Sequence, residues 1–210
     1  LSVRAAARKA AESLGRNLED ISLVVAHLGG GISITAMREG RMVDSNISFL
    51  GGGPFTPQRT GQLPTSELID LCYSGRYTRE ELFEELTRRG GLQSYLGDYR
   101  LDRIETRIHE GDEHARLVVD AMVYQIAKEI GAMFVAAGAA IEAIVLTGGM
   151  IRSERVRKEL QKHVGRLAPL LIYDQPLEME ALAGETLRVL ERRIRPHEYR
   201  CSNAIGGPSA

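Results

Sequence analysis

Short apolar runs alternate with glycine-rich breaks in the first quarter of the chain. Ile21-Ser-Leu-Val-Val-Ala-His-Leu28 is rich in branched residues, Gly29-Gly30-Gly31 interrupts it, and Ile32-Ser-Ile-Thr-Ala-Met37 alternates apolar and polar positions. Arg38-Glu-Gly-Arg41 has the composition of a turn, and Met42 to Ser48 forms a third run. This pattern predicts a three-stranded antiparallel meander over residues 21–48. Ahead of it, residues 3–14 repeat alanine, leucine and charge at helical spacing up to Gly15, which predicts a helix closed by a C-terminal glycine.

Beyond the meander the period changes. Residues 49–63 are too rich in glycine and proline for a regular element and too apolar for a linker, so a fixed loop is expected. Helices are predicted at 65–73, 78–89 and 101–109, the second opened by a Thr78/Glu81 capping box and ended by Gly90-Gly91, with a short loop after it. Asp112 opens a long helix to about Ala137 whose apolar residues spread round much of its circumference, predicting burial on most sides. A strand at 141–147, a turn at Gly148-Gly149, a helix at 152–164, a strand at 169–173 and a helix at 177–193 complete the pattern. Residues 195–210 read as a polar tail expected to be disordered. The order of elements, βββαβαβα with inserted helices, predicts an α/β fold: one mixed sheet, its first three strands antiparallel and the last two running alongside in parallel.

Composition narrows the function. The 210 residues include 27 Lys+Arg against 28 Asp+Glu and 43% hydrophobic residues. A net charge of -1 supplies no basic footprint for nucleic acid and no polybasic segment for a membrane, so neither partner is expected. Cys72 and Cys201 stand far apart without zinc or redox spacing, and no signal peptide is visible, so a reducing cytoplasmic setting is expected. The Asn46-Ile47-Ser48 triplet matches a glycosylation acceptor, a pattern common by chance.

The candidate chemistry gathers at glycines. Gly29-Gly30-Gly31 and Gly148-Gly149 both follow strands, and glycine there lets backbone amides approach phosphate oxygens, although for either cluster taken alone a tight turn is the favoured explanation. His27 sits just before the first cluster, where a strand histidine is either a satisfied core residue or a site residue. Arg59 ends a proline-stiffened loop, either as a solvated charge or as a planar fork held for a phosphoryl group.

Five blocks together resemble the butyrate kinases, which belong to the acetokinase group of the actin-like ATPase superfamily. They are Val25-Ala-His-Leu-Gly-Gly-Gly-Ile-Ser-Ile-Thr-Ala36, Gly53-Pro-Phe-Thr-Pro-Gln-Arg-Thr-Gly61, Leu68-Ile-Asp-Leu-Cys-Tyr-Ser-Gly75, Ala121-Met-Val-Tyr-Gln-Ile-Ala-Lys-Glu-Ile-Gly131 and Ile144-Val-Leu-Thr-Gly-Gly149. The resemblance implies transfer of phosphate from ATP to a short-chain fatty acid, butyrate or similar, with Mg2+, in a homo-oligomer that binds nucleotide and a small carboxylate. It implies catalytic roles for Arg59 and His27, phosphate binding at Gly29, Gly30 and Gly31, an adenosine-side turn at Gly148 and Gly149, nucleotide contacts from Asp98 and Arg100, and a magnesium-associated carboxylate at Glu178. It further implies that the chain is a C-terminal half: residues 1–20 a helix trailing from an absent N-terminal domain, 21–194 the actin-like domain with a helical insertion at about 62–110, and 195–210 the tail. Such a half is expected not to turn over alone. Met37, Leu50 and Gly52 depart from the usual pattern, and Asp98-Tyr99-Arg100 stands two residues early, with Asp102-Arg103 at the expected place. A noncatalytic truncated or decayed paralogue, an acetate kinase and a branched-chain fatty-acid kinase are the alternative readings.

Overall fold

The structure is a computed structural model that describes residues 2–176, 178–192 and 195. The five strands are β1 (Leu23–Leu28), β2 (Ile32–Arg38), β3 (Arg41–Ser45), β4 (Ala143–Thr147) and β5 (Leu170–Tyr173). They form one sheet in the order β3-β2-β1-β4-β5. β1 pairs antiparallel with β2, from Leu23 opposite Met37 to Leu28 opposite Ile32, and parallel with β4, from Leu23 beside Ala143 to His27 beside Thr147. β4 and β5 are parallel, so the mixed α/β sheet expected from the element order is the one formed.

The two central strands are apolar up to His27 and Thr147 at their C-terminal ends because both faces are covered. On one face, alanines 6, 7, 10 and 11 of α1 (Ser2–Ser13) lie against Leu23, Val25, Met37, Ala143 and Val145. Four small residues on one side of the helix let its backbone approach the sheet closely. On the other face, Val24, Ala26, Leu28, Ile34, Ile144 and Leu146 meet α6 (Glu113–Ala136) and α7 (Glu154–Val164). Met122, Ile126 and Ile130 of α6 are fully buried there, each contributing roughly 1.5–3 kcal/mol of transfer free energy. Arg155 of α7 clamps the Asp120 carboxylate of α6 with bonds of 2.6 and 2.8 Å.

The burial of α6 corrects one expectation. Its buried residues, among them Ala115, Val118, Val119, Met122, Val123, Ile126, Ile130 and Met133, follow a single stripe, while Leu117, Tyr124 and Val135 are exposed. The sheet and its neighbouring helices cover one side only. The helix starts at a strong cap: Asp112 accepts the Ala115 amide at 2.8 Å and holds Arg107 through bonds of 3.0 and 2.8 Å. The backbone bond first and Arg107 second depress the Asp112 pKa below the ordinary carboxylate value. A depressed carboxylate contributes stability above its unfolded pKa and loses it as pH falls through the folded one. Asp112→Ala is therefore expected to lower Tm by a few degrees at pH 7, and the gap from wild type should close as pH drops below about 4. Thermal melts across pH 2.5–7 check this.

Between β3 and α6 run α2 (Thr65–Tyr73), α3 (Arg79–Arg88), α4 (Gly91–Leu96) and α5 (Leu101–His109). The capping box at α3 is present in both directions: Thr78 takes the Glu81 amide and Glu81 takes the Thr78 amide. α4 stands where a loop was expected. Gly91 adopts φ +61°, and a Cβ there would fall on the Thr56 carbonyl. That close approach lets Leu92 and Gln93 donate to the carbonyls of Thr56 and Pro57 at 3.1 and 3.0 Å. The first turn of α4 is thus satisfied by a loop distant in sequence, which local pattern does not reveal. Short 3-10 turns at Leu18–Asp20 and Gly149–Arg152 were likewise not expected. The last helix, α8, spans Glu178–Leu190. Of the expected tail, residues 196–210 lie outside the described residues.

Candidate active site

Because β1 and β4 are parallel neighbours, their C-terminal ends finish side by side, and so do the glycine turns that follow them. The second turn packs on the backbone at the end of β1. Gly148 has φ +96°, and a Cβ on it would stand 2.5 Å from the Leu28 carbonyl oxygen. In the first turn the Gly29 amide bonds the Gly31 carbonyl at 3.1 Å, which fixes the loop. Among the described residues, no acceptor meets the amides of Gly30 and Gly31, so these are the donors left for an anion. The second turn passes through the 3-10 segment into α7, whose N-cap is Ser153.

Arg59 reaches the first turn from the side. A Cβ on Gly31 would collide with the Arg59 guanidinium, so glycine is what admits the arginine there. Nη1 donates to the Ser48 carbonyl at 2.6 Å, and the guanidinium lies 5.0 Å from the centre of the Phe49 ring. One bond and one ring contact hold the fork while leaving further N–H donors for a ligand. His27 alternates onto the α1 face, yet its Nε2 would stand 3.3 Å from a Cβ on Gly29, so the ring curls toward the turn. Its Nδ1 is buried with no hydrogen-bond partner among the described residues. A buried donor or acceptor without a partner is costly, and a ligand or another chain segment at the turn would satisfy it.

The glycine turns open onto a cleft of about 520 Å³. Its lining includes Gly29, Gly30 and Gly149 of the turns, Pro57 and Gln58 of the loop after β3, Tyr99, Arg100, Asp102 and Glu105 at and around the start of α5, and Ser153 at the start of α7. Asp102 accepts from Arg100 at 2.8 Å; this hydrogen bond is the main reason the Asp102 pKa is depressed and the Arg100 pKa raised. Glu105 takes the Ser153 hydroxyl, whose oxygen also caps α7 by accepting the Val156 amide at 3.0 Å. This bond joins α5 to the start of α7 in the lining of the cleft. Among the described residues no group of three His, Cys, Asp or Glu is arranged to hold a metal. The cleft carboxylates Asp102 and Glu105 are already engaged by Arg100 and Ser153, so the described side chains do not by themselves build a metal centre in the cleft.

Of the residues singled out from sequence, Gly29, Gly30, Gly149 and Arg100 line the cleft directly. Asp98 supports Arg100 by accepting its amide at 2.9 Å. Gly31 and Gly148 belong to the turns without lining the cleft, and Arg59 and His27 stand beside the first turn. Glu178 is the first residue of α8, and its side chain lies outside the described set. Thr56, Glu105 and Ser153 were missed as site residues. Ser153 carried a signal, a serine before an amphipathic run, and Thr56 carried another, a Thr-Pro turn. Glu105 carried none, since its partner is 48 residues away.

A mixed sheet whose parallel central strands end in two glycine turns beside a cleft, with helices on both faces, is an α/β domain of the actin-like ATPase fold. The Acetokinase family model matches residues 2–186, and the chain belongs to that family. Among solved structures it is similar to an acetate kinase from Porphyromonas gingivalis, with TM-score 0.82, 22% identity, and coverage of 90% of this chain and 54% of that one. A propionate kinase from Francisella tularensis gives 0.72, 20%, 82% and 51%. An acetate kinase from Entamoeba histolytica gives 0.77, 17%, 88% and 56%. The chain thus spans about half the length of these proteins. The resemblance to butyrate kinases accordingly widens to the acetokinase family. The match begins at residue 2, taking in the helix expected to trail from a preceding domain, and the assignment to a C-terminal half is withdrawn. No described helix is long and apolar enough to cross a membrane.

Proposed function

We propose that this chain forms the nucleotide- and phosphoryl-binding wall of a kinase that transfers the γ-phosphoryl group of ATP to the carboxylate of a short-chain fatty acid, butyrate or a close homologue. The observation that supports it is the meeting of two glycine turns and Arg59 at one end of the sheet, above a cleft walled by Tyr99 and Arg100. A fatty-acid carboxylate has a pKa of about 4–5 by analogy with side-chain carboxyls, so at neutral pH the nucleophile is already ionised and needs no general base. The difficulty is to bring two anions together. Catalysis then consists of positioning and of cationic and amide stabilisation of the phosphoryl in flight. In this reading Gly30 and Gly31 amides, Arg59 and His27 face the phosphoryl group. Gly148, Gly149, Asp98, Arg100 and the Tyr99 ring serve the adenosine side. Mg2+ would enter on the nucleotide, neutralising phosphate charge, with Glu178 as its associated carboxylate.

The test is hydroxamate trapping of acyl phosphate with the purified full-length protein that contains this chain, ATP, Mg2+ and a series from acetate to butyrate and isobutyrate. Acyl phosphate and ADP should form in equal amounts, with kcat/KM for butyrate about tenfold above acetate. A preference for acetate would move the acceptor assignment. No product with any acid would overturn the enzyme reading and favour the noncatalytic paralogue.

A further inference from the structure

Thr56 is a buried polar residue, 2% exposed, in the loop between β3 and α2. Its hydroxyl makes every bond a hydroxyl has to offer. The O–H donates to the Gly30 carbonyl at 2.9 Å, while the oxygen accepts the Arg59 amide at 3.0 Å and the Gln58 amide at 3.3 Å. Its backbone is spent as well: the Thr56 amide donates to the Arg59 carbonyl at 2.9 Å, and its carbonyl accepts the Leu92 amide at 3.1 Å. One side-chain oxygen therefore ties the first glycine turn to the residue that bears the guanidinium, across 26 residues of sequence.

We infer that Thr56 is a positioning residue, setting the Gly30–Gly31 amides and the Arg59 guanidinium at a fixed mutual distance; this rests on the phosphoryl-transfer reading above. Either group alone would bind an anion weakly in water. Together they define where a phosphoryl group must sit, and preorganised donors act only if they are held before the reaction begins. Valine has the shape of threonine without the hydroxyl, so Thr56→Val frees the Gly30 carbonyl and both amides while filling the same space. Serine keeps the hydroxyl and loses a methyl group.

The experiment compares wild type with T56V, T56A and T56S by amide hydrogen exchange and by steady-state kinetics. In T56V and T56A the Arg59 and Gln58 amides should exchange about tenfold faster, while the Leu92 amide, bonded to the Thr56 backbone, keeps its rate. Turnover of acyl phosphate formation should fall about tenfold or more with KM for ATP changed less than about threefold. T56S should restore both readouts to within about threefold of wild type. The inference is overturned if T56V leaves the Arg59 amide and turnover unchanged. It is equally overturned if T56S is as impaired as T56V, or if exchange rises at Leu92 as much as at Arg59, which marks general loosening. If wild type forms no acyl phosphate, the proposed function fails, and the exchange rates alone decide whether Thr56 holds the turn to Arg59.

Discussion

Arg59→Ala is expected to lower turnover by about 10² or more while KM for ATP stays within about threefold. The guanidinium is half-buried against the first glycine turn, fixed by the Ser48 carbonyl and the Phe49 ring, and set apart from the Tyr99–Arg100 wall where the nucleoside would lie. A cation so placed contributes little to holding nucleotide in the ground state. Its contribution grows as charge spreads over the oxygens of a transferring phosphoryl group, which is the condition for a kcat effect without a KM effect. Arg59→Lys should recover little, because a point charge on a flexible stem cannot donate to Ser48 and present a second planar N–H edge at once. The melting temperature separates this from loss of fold: the variant loses one hydrogen bond and one cation–π contact, so Tm should fall by only a few degrees. Near-normal turnover, or a KM rise that accounts for the whole loss, would remove Arg59 from the chemistry.

How far the sequence revealed this arrangement depends on the range of the interaction. β1, β2 and β3 were legible because alternation and turn residues act within a few positions, and the Thr78/Glu81 box because its bonds span three residues. The parallel partnership of β1 and β4 followed from the element order, since a meander followed by helix-strand units closes in few ways. The first turn of α4 was hidden. Its support comes from the Thr56 and Pro57 carbonyls, more than 30 positions earlier, and Gly90-Gly91 looked like a simple break. The exposed positions of α6 were hidden for a related reason: an apolar residue such as Leu117 or Val135 carries no mark of whether anything packs on it.

The site shows the same division. Glycine after a strand is a local signal, so both turns were found, as were His27 and Arg59 beside them. What glycine does there is not local. At Gly31 it makes room for an arginine 28 positions later in the chain, and at Gly148 it makes room for the backbone of a neighbouring strand. Asp102 was noticed only for its spacing, whereas its bond to Arg100 is what orients that side chain on the cleft wall. Thr56 and Glu105 act through partners that only the folded chain brings near.

The two glycines of the second turn should behave oppositely, which separates fold from function there. Gly148 has φ +96°, a region that L side chains rarely adopt, and a Cβ would stand 2.5, 2.7 and 2.9 Å from the carbonyl oxygen, carbonyl carbon and amide nitrogen of Leu28. All three are backbone atoms of a central strand paired on both sides, so none can yield without breaking the β1 ladder. Gly148→Ala is expected to cost about 3 kcal/mol or more and to lower Tm by about 6–12 °C for a chain of this length. At Gly149 an added methyl group would meet no neighbour within 4 Å and φ is not positive, so Gly149→Ala should leave Tm within about 2 °C. Gly149 lines the cleft, however, and the added methyl group stands where the nucleotide is proposed to pass. Its effect should therefore appear as a rise in KM for ATP of about fivefold or more, with the fold intact. Thermal melts paired with ATP titrations check both halves. A Gly148→Ala protein that melts like wild type would show that the second turn is not packed on the backbone of Leu28 at the end of β1.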